Sequence, residues 1–101
     1  MKTIRVQYTI KEEFAEQNKA NIRAVMEELR GIGSTDTKYS SYVHEDGKTF
    51  MHVVQYKDGA NESLPANLES FKHFQKELKE NIEVPPKADT FGLVDASFEL
   101  F

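Results

Sequence analysis

A chain of 101 residues has room for one hydrophobic core and buries roughly two thirds of the surface its unfolded form exposes, so a single domain spanning residues 1–101 is expected. With 39% hydrophobic and 30% charged residues it reads as globular rather than disordered, and a net charge of −4 disfavours nucleic acid, whose phosphates select clustered Lys and Arg. There is no Cys for a disulfide or a thiolate metal site, and the apolar runs are far shorter than the roughly 20 residues that cross a bilayer. The N-terminus leads straight into a strand pattern rather than a signal peptide, so a cytoplasmic protein with no membrane partner is expected.

From Thr3 to Ile10 the apolar Ile4, Val6, Tyr8 and Ile10 alternate with Thr3, Arg5, Gln7 and Thr9, the period of a strand. From Glu12 to Arg30 the period becomes helical, with Ala15, Ile22, Val25, Met26 and Leu29 on one side and Gly31 and Gly33 as the stop. Two β-rich segments between Thr37 and Tyr56 flank Glu45-Asp46-Gly47-Lys48, where Asp-Gly predicts a two-residue hairpin turn. That turn makes residues whose numbers sum to 93 face one another: Val43 with Phe50, Tyr42 with Met51, Ser41 with His52 and Tyr39 with Val54. A second helix is predicted from Ser63 as N-cap and Pro65 in the first turn, with Leu64, Leu68, Phe71, Phe74, Leu78 and Ile82 as its apolar stripe. Pro85-Pro86 ends it, and a last strand is expected from Thr90 to Phe101.

The order βαββαβ predicts an α+β, ferredoxin-like domain: a four-stranded antiparallel sheet of order 4-1-3-2 with both helices on one face. The hairpin then has one face with Tyr39, Val43, Phe50, Val54 and Tyr56 and another with Tyr42, Met51 and Val53, so the face without helices also has apolar residues to cover. A second copy of the chain is the simplest cover and makes a homodimer the expected partner, against the alternative of scattered exposed apolar residues.

The Ile4-to-Ile10 strand, the acidic helix after it, Tyr39-Ser40-Ser41-Tyr42-Val43, Asp46 through Val53, and Leu68 through Leu78 with Phe71-Lys72-His73-Phe74 together resemble the dimeric α/β-barrel superfamily, and within it the small antibiotic biosynthesis monooxygenase-like proteins. The resemblance implies a homodimer whose sheets form a barrel, with a pocket in each subunit between sheet and helices. It also implies oxygenase chemistry on an electron-rich aromatic or quinol compound without a cofactor. Haem-degrading relatives use an Asn on the first strand, a Trp and a helix-borne His; here Gln7 is near the first of these positions and there is no Trp, so haem degradation is disfavoured.

Among the three histidines, His73 lies nearly opposite the apolar stripe of its helix and should face solvent, and His44 sits beside the turn. His52 falls among Phe50, Val54, Tyr39 and Tyr56, where an imidazole needs a partner such as the Ser41 hydroxyl opposite. It either moves a proton or is a satisfied core histidine. His52 and Tyr39 are therefore the candidate catalytic pair, and Arg5, Gln7, Tyr8 and Phe50 the candidate ligand-binding residues. Arg5 and Gln7 serve a ligand carbonyl or an intersubunit contact, and Tyr8, Tyr39 and Tyr42 are phenolic donors or packing. No His, Asp and Glu spacing suits a metal, and neither Ser40 nor Ser41 has a nucleophile-elbow context. Three functions remain: a cofactor-independent monooxygenase, a small-molecule binding module, or a structural dimer without a pocket.

Overall fold

The computed structural model describes residues 1–101. Strand β1 (Lys2–Ile10) leads through a 3-10 turn at Glu12–Phe14 into α1 (Ala15–Ile32), and β2 (Thr37–Val43) and β3 (Thr49–Tyr56) form the hairpin before α2 (Glu69–Glu80) and β4 (Ile82–Gly92). The strands make one antiparallel sheet in the order β2-β3-β1-β4, which is the expected 4-1-3-2 read from the other edge.

Alternation decides which side chains meet the helices. Along β3, Phe50, His52, Val54 and Tyr56 are buried while the residues between them stay half-exposed, and Tyr8 and Ile10 of β1 point the same way. Tyr8, Ile10 and Phe50 pack with Phe14 of the 3-10 turn, Ile22 and Val25 of α1, and Phe74 and Leu78 of α2 into one core. Gly33, at φ +69° and with its N–H on the Leu29 carbonyl, ends α1, whereas Gly31 lies within it.

The hairpin register is the predicted one, with Val43 opposite Phe50, Tyr42 opposite Met51, Ser41 opposite His52 and Tyr39 opposite Val54. Its turn differs. A four-residue loop from Glu45 to Lys48 is closed by the His44 N–H on the Thr49 carbonyl at 2.8 Å, and Gly47 takes φ +76°. A two-residue and a four-residue loop share one centre, so the pairing is unchanged. Asp46 holds this loop: its carboxylate accepts from the Lys48 and Thr49 N–H groups at 2.9 and 2.8 Å and from the Thr49 hydroxyl at 2.7 Å. Led by the Thr49 hydroxyl, these donors pull its carboxyl down to about 2.

Two boundaries differ from the sequence expectation. Helix α2 begins at Glu69, not near Ser63, because the Leu64 carbonyl accepts the Tyr56 hydroxyl and ties that turn to β3. The start of α2 is capped instead from α1, where Glu28 accepts the Ser70 N–H at 3.2 Å and its hydroxyl at 2.5 Å. Strand β4 begins at Ile82 and contains both prolines. It is an edge strand, and between the pairs Gln7↔Lys87 and Thr9↔Val84 it places Pro85 and Pro86 opposite the single residue Tyr8, a bulge that spares the two missing donors. Residues 93–101, expected as strand, instead leave the β4 edge and reach β2 at the opposite edge, where the Lys38 ammonium lies 5.0 Å over the Phe101 ring.

Candidate functional site

The sheet divides the candidate residues. Tyr8, Tyr39, Phe50 and His52 share the helix-covered face, whereas Arg5 and Gln7 lie on the other. Arg5 is engaged there with Asp89 at 3.4 Å and with the face of Phe91 at 5.5 Å, and Gln7 is exposed. These two residues therefore do not join the Tyr and His group in one site.

His52 is 4% exposed, and both ring nitrogens are used: Nε2 lies 2.7 Å from the Tyr8 hydroxyl and Nδ1 2.8 Å from the Tyr39 hydroxyl. Ser41 is opposite His52 in register, but its hydroxyl is not the partner; the longer tyrosines reach the ring from neighbouring positions. Asn18 of α1, wholly buried, donates its Nδ2–H to the Tyr8 oxygen at 2.9 Å, and its own Oδ1 is without a partner. Asn18 is the residue that candidate selection from sequence missed. Its signal is position: three residues after Ala15 and four before Ile22, it falls on the apolar stripe, where a buried amide needs a bonding role.

Together these contacts form a chain from Asn18 through Tyr8 and His52 to Tyr39, whose proton order follows the tautomer of the histidine. In the Nδ1–H tautomer the Tyr8 hydroxyl, itself accepting from Asn18, donates to Nε2, and Nδ1–H donates to the Tyr39 oxygen; in the Nε2–H tautomer both bonds at the ring reverse. The Nδ1–H form is the one that concerns the cleft. The Tyr39 hydroxyl proton is then free to serve a further acceptor. The rings of Phe50 and Phe74 flank Tyr8, with centroids 5.8 and 6.4 Å away.

Burial sets the ionisation of each group. It lowers the His52 pKa from 6.5 to about 4, so the imidazole is neutral at pH 7. It raises both phenols, Tyr8 against the opposing hydrogen bond from Asn18 and Tyr39 with further help from its neighbours Tyr8 and Tyr56. Protonating His52 at pH 7 costs about 4 kcal/mol at 1.36 kcal/mol per unit, which makes it a poor free base and a good neutral link between two hydroxyls.

Tyr39 is where this buried chain meets open space. A cleft of about 550 Å³ runs between α1 and the β2 edge, with Tyr39, Ser41, Val43 and Phe50 on the sheet side and Ile22 and Met26 on the helix side. Three cations of α1, Lys19, Arg23 and Arg30, also line it. No three His, Asp or Glu side chains converge anywhere in the chain, so no ready-made metal-ligand set is present.

No family model matches the chain, and no curated protein does. Solved structures do. One of an antibiotic biosynthesis monooxygenase is 16% identical, covers 94% of this chain and 100% of its own, and superposes with a TM-score of 0.78. The protein PA3566 from Pseudomonas aeruginosa is 20% identical over 93% of this chain and 94% of its own, with a TM-score of 0.74. Rv0793 from Mycobacterium tuberculosis is 12% identical over 96% and 98%, also at 0.74. The chain therefore shares the fold of these structures, a four-stranded antiparallel sheet with two helices.

Proposed function

We propose that the protein is a homodimeric, cofactor-independent monooxygenase acting on a small electron-rich aromatic or quinol compound in the cleft between α1 and β2. The observation that carries this reading is the buried Asn18–Tyr8–His52–Tyr39 chain, which ends at the wall of a cleft large enough for a bicyclic ligand. The name of a similarly folded protein, antibiotic biosynthesis monooxygenase, points the same way.

The chemistry asked of the protein is modest, because the ionised substrate itself reduces oxygen. With an anthrone-type ring one oxygen atom replaces the CH₂ hydrogens as a carbonyl, R₂CH₂ + O₂ giving R₂CO + H₂O; with a quinol one ring C–H becomes C–OH as the quinol is oxidised to the hydroxyquinone, and the other atom again leaves as water. The free Tyr39 hydroxyl proton serves that ionised form by hydrogen-bonding its oxyanion, and burial makes such a bond stronger than it is in water. His52 acts through Tyr39, as a positioning residue that fixes the hydroxyl and its proton order. The homodimer is supported by exposed apolar residues outside the core, among them Tyr42, Phe91, Leu93 and Phe98.

A second reading, a binding module without turnover, is favoured by one observation: His52 is satisfied at both nitrogens, as a purely structural histidine would be. Oxygen uptake in the presence of naphthohydroquinones and anthrone-type compounds separates the two. The oxygenase reading expects saturable uptake above autoxidation in buffer; saturable binding with no added uptake would leave the binding module.

A further inference from the structure

The cationic lining of the cleft stands out against the rest of the molecule. The chain has a net charge of −4, yet the cleft is lined by Lys19, Arg23 and Arg30 and by no Asp or Glu. Their spacing is structural: positions 19, 22, 23, 26 and 30 form one stripe of α1, so the apolar Ile22 and Met26 alternate with the three cations along the same wall. Lys19 is paired with Glu16 at 3.0 Å, whereas Arg23 and Arg30 have no carboxylate within salt-bridge distance and no hydrogen bond to another side chain. Two unpaired guanidinium groups beside an apolar floor suit a ligand with a flat apolar body and one negative charge.

The opposite wall agrees. Its polar groups are the hydroxyls of Tyr39, Ser40, Ser41 and Tyr42, which can donate to an anion, and it has no carboxylate to repel one. A cationic cleft in an acidic protein also draws anions selectively, because the remaining surface repels them.

We propose that the cleft takes a small aromatic anion, a carboxylate or phenolate, with its ring on Ile22, Met26 and Phe50 and its charge against the guanidinium groups of Arg23 and Arg30. This assignment rests on the oxygenase reading of the same cleft and narrows it to substrates that carry an anionic group.

The test is calorimetric binding of 2-naphthoate and of its neutral isostere methyl 2-naphthoate to the intact protein, with 2-naphthol followed upward in pH as the phenolate arm. The expected result is 2-naphthoate bound about tenfold or more tightly than the ester, weakening as salt is raised, with Arg23→Gln and Arg30→Gln each losing about tenfold. Both arginines are exposed, so the variants fold, and Lys76→Gln on the solvated face of α2 removes an equal charge without effect. A gain in 2-naphthol affinity on ionisation assigns phenolates to the site; a gain for the carboxylate alone restricts it to acids. Equal affinity for acid and ester, no binding of either, or arginine variants indistinguishable from wild type overturns the proposal. Oxygen uptake with a neutral quinol separates the two ideas: uptake without anion preference removes only this inference, and anion binding without uptake removes only the oxygenase reading.

Discussion

Burying a neutral histidine ties stability to pH, and His52 lets the sign be worked out. Its pKa is about 4 when folded against 6.5 for an unperturbed histidine, so between those values the unfolded chain holds the extra proton. The stability is complete above pH 6.5 and is lost as pH falls toward 4, by up to about 3 kcal/mol. Urea unfolding of wild type and His52→Gln between pH 7 and 4 isolates this part from the carboxylates: the wild type should lose stability more steeply, and parallel profiles would contradict the buried neutral ring. That same ring shows how far single residues can be read from sequence. Alternation along β3 is enough to bury His52, but partner choice depends on side-chain reach, which register alone does not encode; Ser41 is opposite, and the tyrosines do the bonding. Separating Arg5 and Gln7 from Tyr8 needs only the same alternation, since odd and even positions of β1 point to opposite faces.

Elements held together by local patterns were legible, and those decided by tertiary ties were not. Both strands of the hairpin and its register follow from alternation and the Asp-Gly pair, and they survive the longer loop because its centre is unchanged. Gly47 at φ +76° is the residue that loop cannot replace; Gly47→Ala should cost roughly 1–2 kcal/mol in chemical denaturation, although a Cβ there meets no neighbour. An unchanged midpoint would mean that the loop relaxes freely. Strand β4 was displaced in the sequence reading because Pro85-Pro86 reads as a break, and only the edge position and the bulge opposite Tyr8 make those prolines compatible with pairing. The late start of α2 has a similar cause, since the Tyr56 hydroxyl and Glu28 act from distant parts of the chain. Of its expected stripe, Phe71, Phe74 and Leu78 lie on α2 and pack at the core, whereas Leu64 and Leu68 precede the helix and Ile82 opens β4. Phe74, 4% exposed and tilted against Tyr8 and His52, should cost about 3–5 kcal/mol on replacement by Ala, which thermal unfolding measures.

At the scale of the whole molecule, fold and function separate. The ferredoxin-like sheet with two helices on one face follows from element order, but the residues on which the proposed function rests are two tyrosines bonded to one histidine, the Asn18 amide behind Tyr8, and a cationic stripe on α1. The apolar side chains left exposed on the lone chain, Tyr42 at 53% and Phe98 at 68% among them, argue that the working unit is larger. Sedimentation at micromolar concentration should give a dimer; a monomer there removes the sheet-to-sheet assembly while leaving the cleft, which is built within one chain. The central claim is that Tyr39 delivers the order of the buried chain to a ligand in the cleft. Its most direct test is steady-state oxygen uptake by Tyr39→Phe, which keeps the ring and removes only the hydroxyl. The account predicts kcat lower by about a hundredfold with KM little changed, the signature of a bond that strengthens in the transition state; an unaltered kcat would show that the hydroxyl only packs against His52.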